Sequence, residues 1–119
     1  MLSITLAVLL QSSSASVSFE EAEALARRDE ATLHGETASQ FFDKQGKATG
    51  RALINCGVKE AREASGLTVV MRLDADGRVT KTWLNKPSAL GRCFEEELKS
   101  ATFPMQGQEE FYTFIGFNF

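Results

Sequence analysis

The chain reads as a small α+β domain. N-terminal helices precede a β-β-α-β unit whose three-stranded antiparallel or mixed sheet has spatial order 2-1-3, with helices on one face. Three observations predict it. Residues 19–33 are dense in strong helix formers. Two alternating runs, residues 67–73 and 78–84, flank the turn residues Asp74, Ala75, Asp76 and Gly77. A helical pattern beginning at Ser88 then separates this hairpin from a last alternating run, residues 109–119.

In the first helix Ser18 is a natural N-cap, and Glu20 and Glu21 suit the positive end of the helix dipole. Phe19, Ala22, Leu25, Ala26 and Leu33 form a sparse apolar stripe, enough for a helix lying on a surface. Gly35 interrupts it. Residues 36–50 are polar with Phe41 and Phe42 embedded, and predict a short helix followed by a loop over residues 45–50. A further helix is expected over residues 51–64. Leu53, Ile54, Cys56, Val58 and Ala61 are its apolar positions, and Ser65 and Gly66 are its stop.

In the first strand Val69, Met71 and Leu73 point to one side, and Thr68, Val70 and Arg72 to the other. Gly77 is free to take a positive φ. Val79 and Trp83 share a face of the second strand. Asn85, Lys86 and Pro87 end it. Ser88 caps a helix of about fourteen residues ending near Thr102, with Leu90, Cys93, Phe94, Glu97, Leu98 and Ala101 on one face. Phe103-Pro104 closes it, because proline disfavours helix in the residue before it. In the last strand Phe111, Thr113, Ile115, Phe117 and Phe119 alternate with Tyr112, Phe114, Gly116 and Asn118. A helix between strands two and three makes those two run parallel, with a right-handed crossover. Strand one then lies between them, antiparallel to both.

The 119 residues are 43% apolar and 24% charged, a globular composition. A net charge of −3 leaves no basic surplus for a phosphate backbone, so nucleic acid is not an expected partner. Basic residues are scattered, Arg27-Arg28 being the densest pair, and no polybasic run seeks an anionic membrane surface.

Residues 2–10 form an apolar run followed by small polar residues, the layout of a signal peptide. The run is too short to span a bilayer. Cleavage is expected after Ala15, with Ser16 or Ser18 as neighbouring choices. No Lys or Arg precedes Arg27, and the alternative is an N-terminal helix of a cytosolic protein. The expected organisation is a leader over residues 1–15, an N-terminal helical segment over 16–50 and an α+β domain over 51–119. The expected location is the periplasm or outside the cell, without a stable membrane anchor.

Cys56 and Cys93 fall on the helices before and after the hairpin, and an oxidising compartment preserves thiol pairs as disulfides. A structural Cys56–Cys93 disulfide is expected, with two buried thiols as the alternative. Redox chemistry is a remote third, because redox-active pairs are usually close in sequence.

From Cys56 onward the pattern resembles the C-terminal domain of the TonB/TolA superfamily, in particular its cysteine-containing AgmX/PglI-type branch. The matching pieces are Cys56 with Glu60, then Gly66-Leu67-Thr68-Val69 and the strand to Leu73. Asp76-Gly77-Arg78-Val79 follows, then Cys93, Phe103-Pro104 and the closing aromatic strand. The likeness covers about sixty-five residues. It implies the same α+β fold, a periplasmic address and the use of a sheet edge for contacts. TonB-like energy transducers carry a transmembrane anchor, a Pro-rich spacer and a Tyr-Pro pair near the strand region. This chain has two prolines, no such spacer and no such pair, so energy transduction to an outer-membrane transporter is not expected.

No residue set stands out as catalytic. His34 is the single histidine and reads as part of a surface helix end; neither G-x-S-x-G nor H-E-x-x-H is present. Asp74 and Asp76 open like a calcium loop, but Gly77 comes too early and Asn85 stands where the closing glutamate belongs. They read as a turn. Glu95, Glu96 and Glu97 point in different directions on a helix and read as a solvated face. No metal, no cofactor and no enzymatic activity are expected.

The last strand, Phe111, Tyr112, Thr113, Phe114, Ile115 and Phe117, is an edge in order 2-1-3. An exposed edge invites a partner strand; the alternative is that its apolar residues pack under the helices and the N-terminal segment covers it. The expected function is a secreted or periplasmic, non-catalytic protein-binding module, an accessory part of a cell-envelope or secretion machine. An inhibitor or immunity protein against a periplasmic toxin or hydrolase is the alternative.

Overall fold

A computed structural model of the chain describes residues 17–118. The expected leader and Phe119 lie outside the described residues. Helix α1 (Phe19–Glu30) starts as its sequence dictates. The Ser18 hydroxyl accepts from the Glu21 amide at 3.1 Å, and the Glu21 carboxylate accepts from the Ser18 amide at 3.3 Å. This reciprocal capping box satisfies two donors that the first turn leaves free.

Helix α2 (Gly35–Asn55) is the largest departure from expectation. The short helix, the loop over 45–50 and the start of the next helix are one continuous helix of 21 residues. Phe41, Ala48 and Ala52 recur at helical spacing and are buried together. That stripe outweighs the propensity cost of Gly46 and Gly50, about 1 kcal/mol each relative to alanine. The helix runs through the boundary expected at residue 50, and Phe41 and Ala48 share one core with the sheet.

The helix expected to reach residue 64 instead stops at Asn55. Gly57 takes φ +75°, and its amide donates to the Ile54 carbonyl while the Val58 amide donates to Leu53. These two bonds are a Schellman stop, which needs a residue comfortable at positive φ. A 3-10 turn, Ala61–Ala64, follows. Glu63 accepts from the Glu60 and Lys59 amides, which holds its carboxyl below the usual range.

The sheet consists of β1 (Thr68–Asp74), β2 (Val79–Leu84) and β3 (Glu110–Gly116), in order β2-β1-β3. β1 runs antiparallel to both neighbours, as the connecting helix requires. In the hairpin the Asp74 carboxylate accepts from the Asp76 and Arg78 amides. Gly77 takes φ +82°, and the register slips between Arg72 and Leu73, where their partners are Lys81 and Val79. The extra residue is a bulge, and it reverses the alternation beyond it. Val79 and Trp83, expected on one face, therefore belong to different clusters.

Helix α3 (Ala89–Leu98) begins on Ser88, whose hydroxyl accepts from Gly91. It is ten residues long and stops short of Thr102, because Thr102 bridges to Arg78 and the Phe103 amide donates to the Gly77 carbonyl.

The helices do not all lie on one face, which corrects the expectation that they pack on one side of the sheet. α2 and α3 cover the side that carries Val69, Met71, Leu73, Phe111, Ile115 and Phe117. α1 covers the opposite side, where Ala22 and Ala26 pack with Val70 and Tyr112 and against Trp83 and Phe114. β3 has large apolar side chains on both sides, so both faces demand cover. The result is three layers: α1, the sheet, then α2 with α3.

Cys56 and Cys93 form a disulfide with Cα atoms 5.9 Å apart, joining the end of α2 to α3. Chain entropy for a loop spanning 37 residues assigns it about 4 kcal/mol. Reducing it, or replacing both cysteines by serine, lowers the unfolding free energy by roughly 3–4 kcal/mol in chemical denaturation.

The glycines give a second test. A Cβ on Gly46 meets nothing within 4 Å, whereas one on Gly77 runs into the Phe103 carbonyl oxygen. Gly46→Ala should stabilise the protein by about 0.5–1 kcal/mol. Gly77→Ala should destabilise it by about 2 kcal/mol or more. If residue 46 lay in a loop, the first substitution would bring no gain.

Candidate functional site

β3 is an edge strand, and its outer rim is the place where backbone groups meet side chains from outside the sheet. Residues whose amides face β1 alternate with residues whose amides face away. Tyr112 and Phe114 belong to the outward set. The Tyr112 amide donates to Asp29 Oδ2 at 2.9 Å, and the Phe114 amide donates to Glu30 Oε2 at 3.1 Å. Both carboxylates come from the end of α1. The Gln45 amide of α2 donates to the Phe114 carbonyl at 3.1 Å.

Thr113 points to the α2 side and completes the arrangement. Its hydroxyl donates to Glu30 Oε2 at 2.5 Å and accepts from Gln45 Nε2 at 2.8 Å. Thr113 is fully buried and Asp29 is 9% exposed, so these polar groups are satisfied by one another. Arg28 donates twice to Asp29 Oδ1, at 2.9 and 3.1 Å. The Arg27 guanidinium stands 4.8 Å from the centre of the Phe114 ring, a cation–π contact.

This geometry revises the expected partner-binding residues. Phe111, Ile115 and Phe117 are core side chains under α2 and α3, and Tyr112 is buried beneath α1. Phe114 alone among the six is partly exposed. The edge therefore offers backbone groups rather than an apolar side-chain surface, and Asp29, Glu30 and Gln45 hold part of it. Sequence reasoning missed these three. The one signal was a pair of acids at a helix C-terminus, where the dipole disfavours negative charge.

Comparison with protein-family models, curated proteins and solved structures returned no match.

The other singled-out residues are dispersed. His34 is the N-cap of α2, and its carbonyl accepts from the Ala38 amide. Asp74 serves the hairpin turn. Glu95 accepts from the Thr82 hydroxyl at 2.6 Å, Glu96 pairs with Lys99 at 3.0 Å and Glu97 accepts from Asn55 at 2.6 Å. The three carboxylates thus diverge. Among the described residues no pocket and no cluster of His, Cys, Asp and Glu suited to a metal ion is found. No helix among them is long and apolar enough to cross a membrane.

Burial beneath α1 raises the Tyr112 phenol above the ordinary tyrosine range, and the charge of Glu110 adds to this against an opposing Arg72. The folded state holds the phenolic proton more tightly than the unfolded chain does. The stability this contributes is complete below the unfolded value, about 10, and is lost as pH rises through the folded one. Thermal melts at pH 9 to 11.5 should show a decline that is shallower in Tyr112→Phe. Equal slopes would mean that α1 does not bury the ring.

Proposed function

We propose that this chain is a non-catalytic protein-binding module of the periplasm or the extracellular space, similar in fold to the TonB/TolA domains and accessory to a cell-envelope or secretion machine. Strand addition along the outer rim of β3 is its mode of contact. The observation that carries the reading is the set of hydrogen bonds at Tyr112 and Phe114. An edge whose outward groups take acceptors and a donor from outside the sheet suits main-chain recognition. The Cys56–Cys93 disulfide supports an oxidising compartment, and an anionic chain without a basic patch supports a protein partner over nucleic acid.

The test places a photo-crosslinking residue at Gly116, an exposed position at the end of β3, and captures adducts of the oxidised protein from its own envelope extract. Adducts with envelope or secretion-machine components are the predicted result. A one-to-one adduct with a toxin or lytic enzyme would turn the reading to an inhibitor or immunity protein. Absence of any adduct at this edge, with adducts from other surfaces, would sink strand addition.

A further inference from the structure

The groups on the β3 rim are arranged in a way that edge protection alone does not require. In an antiparallel pair, one residue of a hydrogen-bonded rung gives its partner both an acceptor and a donor. Phe114 receives both: Glu30 accepts from its amide and Gln45 donates to its carbonyl. Two residues along the same rim, Asp29 accepts from the next outward amide, that of Tyr112. Side chains from two helices thus reproduce the bonding pattern of one strand residue and half of the next.

Resting on the strand-addition reading above, we propose that Asp29, Glu30 and Gln45 act as an internal stand-in for a partner strand. The partner is an extended segment that binds antiparallel to β3 by displacing the end of α1. Its main-chain carbonyls take the places of the two carboxylates, and its amide takes the place of the Gln45 amide. Residues 31–34 join α1 to α2, and the Gln45 side chain of α2 donates to Glu30 at 3.4 Å, so lifting the end of α1 breaks that bond while Leu33 stays packed on the core of the other face.

The grip of α1 suits such an exchange. Its buried residues are Ala22, Ala26 and Asp29, while the larger Phe19 and Leu25 are only partly buried against the sheet. The surface beneath carries Val70, Trp83, Tyr112 and Phe114. Lifting α1 uncovers these side chains together with the β3 rim. The open form therefore presents a composite surface, an unpaired edge flanked by an aromatic face. It fits an extended segment with apolar residues at alternate positions.

Two measurements on the full-length oxidised chain test this. In amide exchange by NMR, Tyr112 and Phe114 should exchange at least about 100-fold faster than Val70 and Met71 in the central strand, reporting local opening of α1. Exchange at the same rate as the central strand, meaning that α1 leaves only on global unfolding, would overturn the proposal. The second measurement titrates a synthetic peptide of the β1 sequence, residues 68–74, into the wild type and into Asp29→Ala/Glu30→Ala. The variant should bind about ten times more tightly, because a larger fraction is competent, with Val70 and Met71 still strongly protected from exchange showing that it is folded. Equal affinity would overturn the stand-in while leaving strand addition intact. No binding to either protein would overturn both.

Discussion

The structure depends on the two-sided burial of β1. This strand pairs along both edges, and Val69, Val70, Met71 and Leu73 are all inaccessible to solvent. A sheet centred on such a strand needs apolar cover on both faces. α2 and α3 supply one cover. The other face falls to α1, the remaining helix among the described residues. Placing α1 across Val70 and Tyr112 brings its last turn to the rim of β3, where Asp29 and Glu30 meet outward-facing amides. The candidate site is thus a consequence of how the second face is covered.

The disulfide complements this arrangement on the opposite side. A domain of this size has a modest core, and α2 and α3 meet it through a few residues each. Cys56 at the end of α2 and Cys93 within α3 fix the spacing of these helices, with Asn55 and Glu97 bonded beside them. The cross-link holds the layer on the face opposite α1. The covalently secured face and the face covered by α1 without a cross-link are therefore different, and the latter borders the rim.

Much of the architecture was legible because local and global signals agree. Ser18 and Ser88 cap their helices, Asp74 and Gly77 make their turn, and the sheet order followed from one helix linking strands two and three. The misreadings have physical causes. Gly46 and Gly50 look like a loop until the spacing of Phe41, Ala48 and Ala52 is weighed against them. Gly57 was a visible helix stop that an apolar count ran past. The bulge beside Gly77 changes which face Val79 occupies, and no periodicity announces that. The second covered face was written into β3, whose Tyr112 and Phe114 alternate with Phe111 and Ile115. Asp29 and Glu30 were illegible, since a hydrogen bond between residues more than eighty positions apart leaves no local trace.

The α1–β3 junction rests on the hydrogen bond from Thr113 to Glu30. A double-mutant cycle measures this directly, using Glu30→Ala, Thr113→Ala and the double variant in chemical denaturation. The expected coupling energy between the two sites is about 1 kcal/mol or more. Additivity within about 0.3 kcal/mol would contradict it, placing the end of α1 away from the rim of β3.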